Sequence, residues 1–353
     1  MLVKLVYSGA HQNNLLFQNC LPKSYLRSTS SVGGKRGVVG AWHSFGIYQP
    51  LLNRPRPIHK RYEQSWPTEY PPNNNHMKKT VGLILVSLLL TSCNTETTKI
   101  EYGSNNGRYI SINNRKIYFE EYGEGTPLLL LSGGGINRSI RDFGKCIPDL
   151  SKHYRVIVPD TPGQGRSEQT DSLSYDLLTD FISQLIDSLK IDSGYVMGWS
   201  DGAIVSVLLA DRRADKVRKI IAVGANNGIR GFNLGGFPPD SVKPPTLEYW
   251  ASSNKKDIEW YNTLTPKKDW RKTNSNMNMM VYQKEYFPTS VYDGINIPVM
   301  IVLGDRDMIS IEHGLEMHRL IRNSQYCVLP NTTHEVFAER PGLINEIAID
   351  FFK

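Results

Sequence analysis

The stretch that decides the fold is Tyr195-Val196-Met197-Gly198-Trp199-Ser200-Asp201-Gly202-Ala203. An apolar run ends at Met197, and helix-forming residues begin at Ala203 and run to Arg213. Between them lies a G-x-S-x-G pentapeptide, which by chance alone should occur in roughly one chain of this length in ten. Its position between a strand and a helix gives it meaning. A serine on so sharp a turn needs glycine two residues to either side, because the neighbouring backbones approach too closely for a side chain. It would stand at a helix N-terminus, where backbone N–H groups favour developing negative charge. Ser200 is therefore the candidate nucleophile.

Outward from this turn the chain alternates. Apolar runs at Leu128–Leu131, Val156–Val158, Tyr195–Met197, Lys219–Val223, Val299–Leu303 and Tyr326–Leu329 read as strands. Helical patterns are expected at about Ser139–Leu150, Tyr175–Leu189, Ala203–Arg213, Glu312–Ile321 and Leu343–Phe352. Such strands separated by helices predict an α/β fold with a mostly parallel sheet covered on both faces. Tyr109–Ile112 and Lys116–Tyr122 read as an antiparallel hairpin turning at Asn113-Asn114. The interval from about 227 to 296 breaks the rhythm and is too long for a bare loop, which predicts an inserted helical lid. Its aromatics Trp250, Trp260, Tyr261 and Trp270 either line a substrate pocket or form the lid's own small core.

Two further strand ends carry chemistry. Gly304-Asp305-Arg306-Asp307 follows the run Val299–Leu303, and Pro330-Asn331-Thr332-Thr333-His334-Glu335 follows Tyr326–Leu329. The order Ser200, then an acid, then His334 suits a base that takes the serine proton and a carboxylate that orients the imidazole. Asp307 is the expected acid, with Asp305 as the alternative. Ser132-Gly133-Gly134-Gly135, after the strand Leu128–Leu131, is either an oxyanion loop or a flexible glycine turn.

The sequence resembles the α/β-hydrolase superfamily over about Gly107 to Phe352. The resemblance is carried by the elbow with Ala203, by Asp215-Lys216-Val217, by Val223-Gly224-Ala225-Asn226, and by Pro159-Asp160 with Gly163-Gln164-Gly165-Arg166-Ser167. These are similar to the branch of valacyclovir hydrolase (biphenyl hydrolase-like) and its bacterial relatives. The resemblance implies an α/β-hydrolase fold and a triad of Ser200, His334 and Asp307, where the family spacing selects Asp307. It also implies oxyanion donors at the N–H groups of Asp201 and Gly134. This chain has Ser132-Gly133 where family members commonly have His-Gly. The expected activity is cleavage of a small carboxylic ester or activated amide, without a cofactor. The same triad serves perhydrolases, C–C hydrolases and acyltransferases, and a non-catalytic lipid-anchored binding protein is the rival from another class. Asp201 either favours a cationic substrate group by Coulomb attraction or stabilises the helix N-terminus.

Ahead of this domain, Met77-Lys78-Lys79 precedes an apolar run, Val81–Leu90, and then Leu90-Thr91-Ser92-Cys93. A positive start, a short apolar stretch and small residues describe a secretory signal over 77–93. The run is shorter than the roughly 20 residues a spanning helix needs. Its end resembles a bacterial lipobox, which implies lipidation of Cys93 and attachment to a membrane of the bacterial cell envelope. Residues 94–107 then form a tether and 108–353 the catalytic domain. Residues 1–76 are expected to be a spurious or disordered extension, with Met77 as the true start.

The formal charge of +7 does not call for nucleic acid. Residues 1–76 hold 9 Lys and Arg against 2 Glu, and the rest carries 32 of each sign. Cys146 and Cys327 either pair or remain two buried thiols. His313 and His318 stand five apart on one expected helix and share no face, and no metal, Walker-type or dinucleotide motif is present.

Overall fold

The computed structural model describes residues 99–264 and 269–353. The expected extension, the signal segment and Cys93 lie outside the described residues. The sheet has eight strands: β1 (Arg108–Ile112), β2 (Arg115–Tyr122), β3 (Pro127–Leu131), β4 (Arg155–Pro159), β5 (Gly194–Trp199), β6 (Val217–Val223), β7 (Val299–Gly304) and β8 (Ser324–Leu329). Their spatial order is β1-β2-β4-β3-β5-β6-β7-β8. β2 is antiparallel to β1 and β4, and every other pairing is parallel. This is the α/β-hydrolase fold that the resemblance implies.

Alternation of side chains sorts the core into two layers. Leu129 and Leu131 join the cluster beneath α2 (Tyr175–Ser188), α3 (Asp201–Arg212) and α8 (Ile311–Leu320). Leu128 and Leu130 join the opposite cluster, with α1 (Ile147–Leu150), α9 (Val336–Glu339) and α10 (Pro341–Phe352). The β1–β2 hairpin turns at Asn113 and Asn114, which have φ of 49° and 59°. Two left-handed residues match the twist of the strands, and asparagine tolerates that region.

The helix expected over Ser139–Leu150 is broken in two. A 3-10 turn at Ile140–Phe143 is followed by α1. Gly144 itself has helical dihedrals (φ −55°, ψ −27°), but Pro148 has no N–H for the Gly144 carbonyl, which instead accepts from Ile100 N–H at 3.1 Å. Pro148 then suits only a first helical turn, where no backbone donor is required.

The segment between β6 and β7 carries α4 (Leu247–Ser253), α5 (Lys255–Leu264), α6 (Trp270–Val281) and the short α7 (Val291–Gly294). Tyr261 and Trp270 pack with Ile136, Trp250 and Trp260 into a small core of their own. The described part of the expected tether, residues 99–107, packs on the domain. Ile100 N–H donates to Gly144 O, and Tyr102 lies against Trp260 with the Arg166 guanidinium 4.3 Å over its ring. Among the described residues no helix is long and apolar enough to cross a membrane. Cys146 is buried, Cys327 is half-buried, and both are free thiols.

Candidate active site

The candidate residues all lie beyond the carboxyl ends of parallel strands, where the crevice of such sheets forms. Ser200 ends the turn after β5 with φ 53° and ψ −117°, a left-handed conformation that a side-chain-bearing residue holds only under constraint. The constraint is visible on both sides. Ser200 N–H donates to Val223 O at 2.8 Å, tying the turn to β6. A Cβ on Gly198 would stand 2.1 Å from Gly202 O, and one on Gly202 would stand 2.1 Å from Leu131 O. The two glycines of the pentapeptide thus let α3 start hard against β3 and β5.

His334 is 8% exposed and sits on the loop between β8 and α9. Its Nδ1 lies 2.7 Å from Asp307 Oδ1, and since a carboxylate accepts, Nδ1 carries the proton and Nε2 is left basic. Asp307 Oδ1 also accepts from Ile309 N–H at 2.9 Å, and Oδ2 from Gly304 N–H at 3.4 Å. Asp305 is exposed and accepts from Thr332 N–H, so of the two expected acids it is Asp307 that meets the imidazole. Burial would depress the His334 pKa. The Asp307 charge, its hydrogen bond and Glu335 outweigh that, and the imidazole titrates above its ordinary value. Trp199 Nε1–H donates to His334 O at 2.8 Å, which fastens the histidine loop to the residue before Ser200.

Ser200, His334, Gly133, Gly134 and Asp201 all line one cavity of about 220 Å³. The Ser200 Cβ lies against Gly133, where an added Cβ would come within 3.3 Å. The Asp201 carboxylate reaches over Gly134, whose added Cβ would meet Oδ2 at 2.0 Å. Asp201 Oδ1 accepts from Tyr175 OH at 2.9 Å. Burial pushes its pKa up to about 6, opposed by the Tyr175 hydrogen bond and the His334 charge.

Sequence reasoning missed several residues of this wall. Arg138 stacks 4.3 Å over Trp199 and donates to Glu335 at 2.8 Å, closing the cavity beside His334. Asn274 of α6 and Tyr286 face the cavity from the insertion. Trp250 does so too while also packing in the insertion's core, so the two readings of the aromatics hold together at that residue. His313 is structural: its Nε2 accepts from Asn227 N–H at 2.9 Å, and Nδ1 faces Glu316 at 3.0 Å.

Residues 128–347 match the model of the alpha/beta hydrolase family. Among curated proteins, the chain is 22% identical to human serine hydrolase BPHL over 258 residues, covering 69% of this chain and 85% of that protein. It is 23% identical to the pimeloyl-[acyl-carrier protein] methyl ester esterase of Yersinia enterocolitica, covering 67% of this chain and 97% of that one. Among solved structures, a meta-cleavage product hydrolase from Pseudomonas fluorescens superimposes with a TM-score of 0.57 at 20% identity, covering 70% of this chain and 97% of that one.

Proposed function

Because the chain belongs to the alpha/beta hydrolase family, we propose that it is a serine hydrolase cleaving small carboxylic esters, or activated amides, through an acyl-enzyme on Ser200. One observation carries the reading. A serine held left-handed at a strand-to-helix turn shares a cavity with an imidazole whose far nitrogen is bonded to a buried carboxylate.

In the first half-reaction Ser200 Oγ attacks the ester carbonyl while His334 Nε2 takes its proton. The tetrahedral oxyanion is met by the N–H groups of Asp201 and Gly134, preset by the turn after β5 and the loop after β3. Asp307 keeps the imidazole in the tautomer with Nδ1–H and stabilises the imidazolium. His334 then protonates the leaving alcohol. Water attacks the acyl-enzyme by the same route in reverse, releasing the acid and restoring Ser200.

The test is fluorophosphonate labelling of the full chain together with turnover of p-nitrophenyl acetate. Both should disappear in Ser200→Ala, with kcat falling by roughly 10⁶-fold. Folded wild-type protein that neither labels nor turns over would leave the binding-protein reading in its place.

The proposal extends to location: a lipid on Cys93 holds the enzyme at a membrane of the bacterial envelope. Two signals, an acylated Cys and a second chain, make such an anchor durable. Cells fed an alkyne fatty acid should label wild-type protein and not Cys93→Ser. Equal labelling of both would end the idea.

A further inference from the structure

The loop after β3 carries Gly134 and then turns back on itself, with Arg138 N–H donating to Gly135 O at 3.1 Å. Gly135 has φ 142°, and a Cβ there would come within 3.3 Å of Arg138 Cγ. The turn that follows Gly134 therefore also aims the Arg138 side chain.

That side chain is 17% exposed and touches the neighbours of both Ser200 and His334. Its guanidinium stacks 4.3 Å over Trp199, the residue before Ser200. Nη2 donates to Glu335 Oε1 at 2.8 Å and Nη1 to Oε2 at 3.4 Å, a forked contact with the residue after His334. Nη1 also lies 3.6 Å from Asp142 Oδ1 on the 3-10 turn. A guanidinium suits this place because it is flat enough to stack and can hold a carboxylate by both oxygens. Burying such a charge is a weak route to stability, since desolvation offsets most of the attraction. What the contacts do achieve is register between segments that lie far apart in the chain.

We propose that Arg138 is a positioning residue that holds the oxyanion loop, the Ser200 turn and the His334 loop in one register, so that Gly134 N–H, Ser200 Oγ and His334 Nε2 converge on the same carbonyl. The bond from Trp199 Nε1–H to His334 O already ties the second to the third. Arg138 adds the first. A displacement of about 1 Å at a reacting centre costs on the order of 10²-fold in rate, so such a tie acts on turnover.

The same ion pair acts on the base through its charges. The charged groups around His334 are Asp307 after β7, Asp201 after β5, Glu335 beside it and Arg138 after β3. Burial and the Arg138 charge lower the His334 pKa, while Asp307 and Glu335 raise it. Breaking the pair from its two ends should therefore move the base in opposite directions. Loss of packing alone has no such sign.

This inference rests on the ester-hydrolase reading, and the experiment separates the two. Full-length wild type, Arg138→Met, Arg138→Lys and Glu335→Gln are assayed on p-nitrophenyl acetate. Turnover is expressed per site titrated with a fluorophosphonate, so unfolded protein does not count. Arg138→Met should lose about 10- to 100-fold in kcat, with KM within about 3-fold of wild type. Arg138→Lys keeps the charge and loses the fork, so it should lose about 10-fold in kcat and keep the wild-type acid limb of kcat/KM. That limb should move to higher pH in Arg138→Met and to lower pH in Glu335→Gln. If Arg138→Met does not fold, the lysine and glutamine variants decide by the same criteria. A kcat within about 3-fold of wild type in folded Arg138 variants overturns the positioning role and leaves the hydrolase standing. Limbs that stay in place, or that move the same way in Arg138→Met and Glu335→Gln, overturn it too. A folded wild type that turns over no ester overturns both.

Discussion

The turn after β7 and the turn after β5 each place a buried aspartate in the same site, and they treat it in opposite ways. Asp307 receives three donors, from His334 Nδ1, Ile309 N–H and Gly304 N–H. Asp201 receives one, from Tyr175 OH, and its second oxygen has no partner among the described residues. A carboxylate wrapped in donors is fixed in place. A half-satisfied one keeps a free coordination direction at the expense of stability, and burial pushes its pKa up to about 6. The contrast separates a carboxylate held by three donors from one held by a single hydroxyl.

The sharpest way to break this contrast is Asp307→Asn. It should lower kcat about 10⁴-fold by losing the acceptor that selects the His334 tautomer. A fall below ~10-fold would show that Asp307 does not orient the base. The same exchange at Asp201 should act mainly on stability. The folded pKa lies above the ordinary 3.8. The protonated form is therefore favoured in the fold, and stability is lost as pH rises through about 6. Asp201→Asn should thus be more stable than wild type at pH 8, by on the order of 2 kcal/mol, with the gain shrinking toward pH 4. Denaturant melts at the two pH values measure it, and a gain that is equal at both would sink the account. The smallest effect is in the pH profile. His334 acts as a base only when neutral, and its pKa is raised. The kcat/KM of wild type on a neutral ester should rise with pH through an apparent pKa above 6.5. A limb at or below that value would mean that Asp307 does not dominate the imidazole.

Much of this is legible in the sequence, because local rules govern it. The glycines around Ser200, the apolar strand runs and the Asn113-Asn114 turn each encode one backbone demand. The break before α1 has a local signal in Pro148, which cannot donate to the carbonyl four residues back; the Ile100 N–H that takes up that carbonyl comes from a distant segment and has none. The insertion helices α5 and α6 keep a helical period, but their buried faces include polar residues such as Thr273, Asn274 and Asn276, so an apolar pattern marks their bounds poorly. Tyr175 and Asp201 are 26 residues apart and meet only because α2 packs beside α3. The pairing of Arg138 with Glu335 spans 197 residues. No spacing rule reaches such partners; tertiary packing alone creates them.

Trp199 joins the strand that presents Ser200 to the loop that presents His334, and no member of the proposed triad is drawn from the 225–298 interval. Chemistry and cover are thus written in separate passages of the chain. Mutation can rewrite the cover while leaving the reaction readable beneath it, so diversification of such an enzyme should accumulate between β6 and β7. Grafting that interval from a relative onto this sheet would be the natural way to borrow a new specificity.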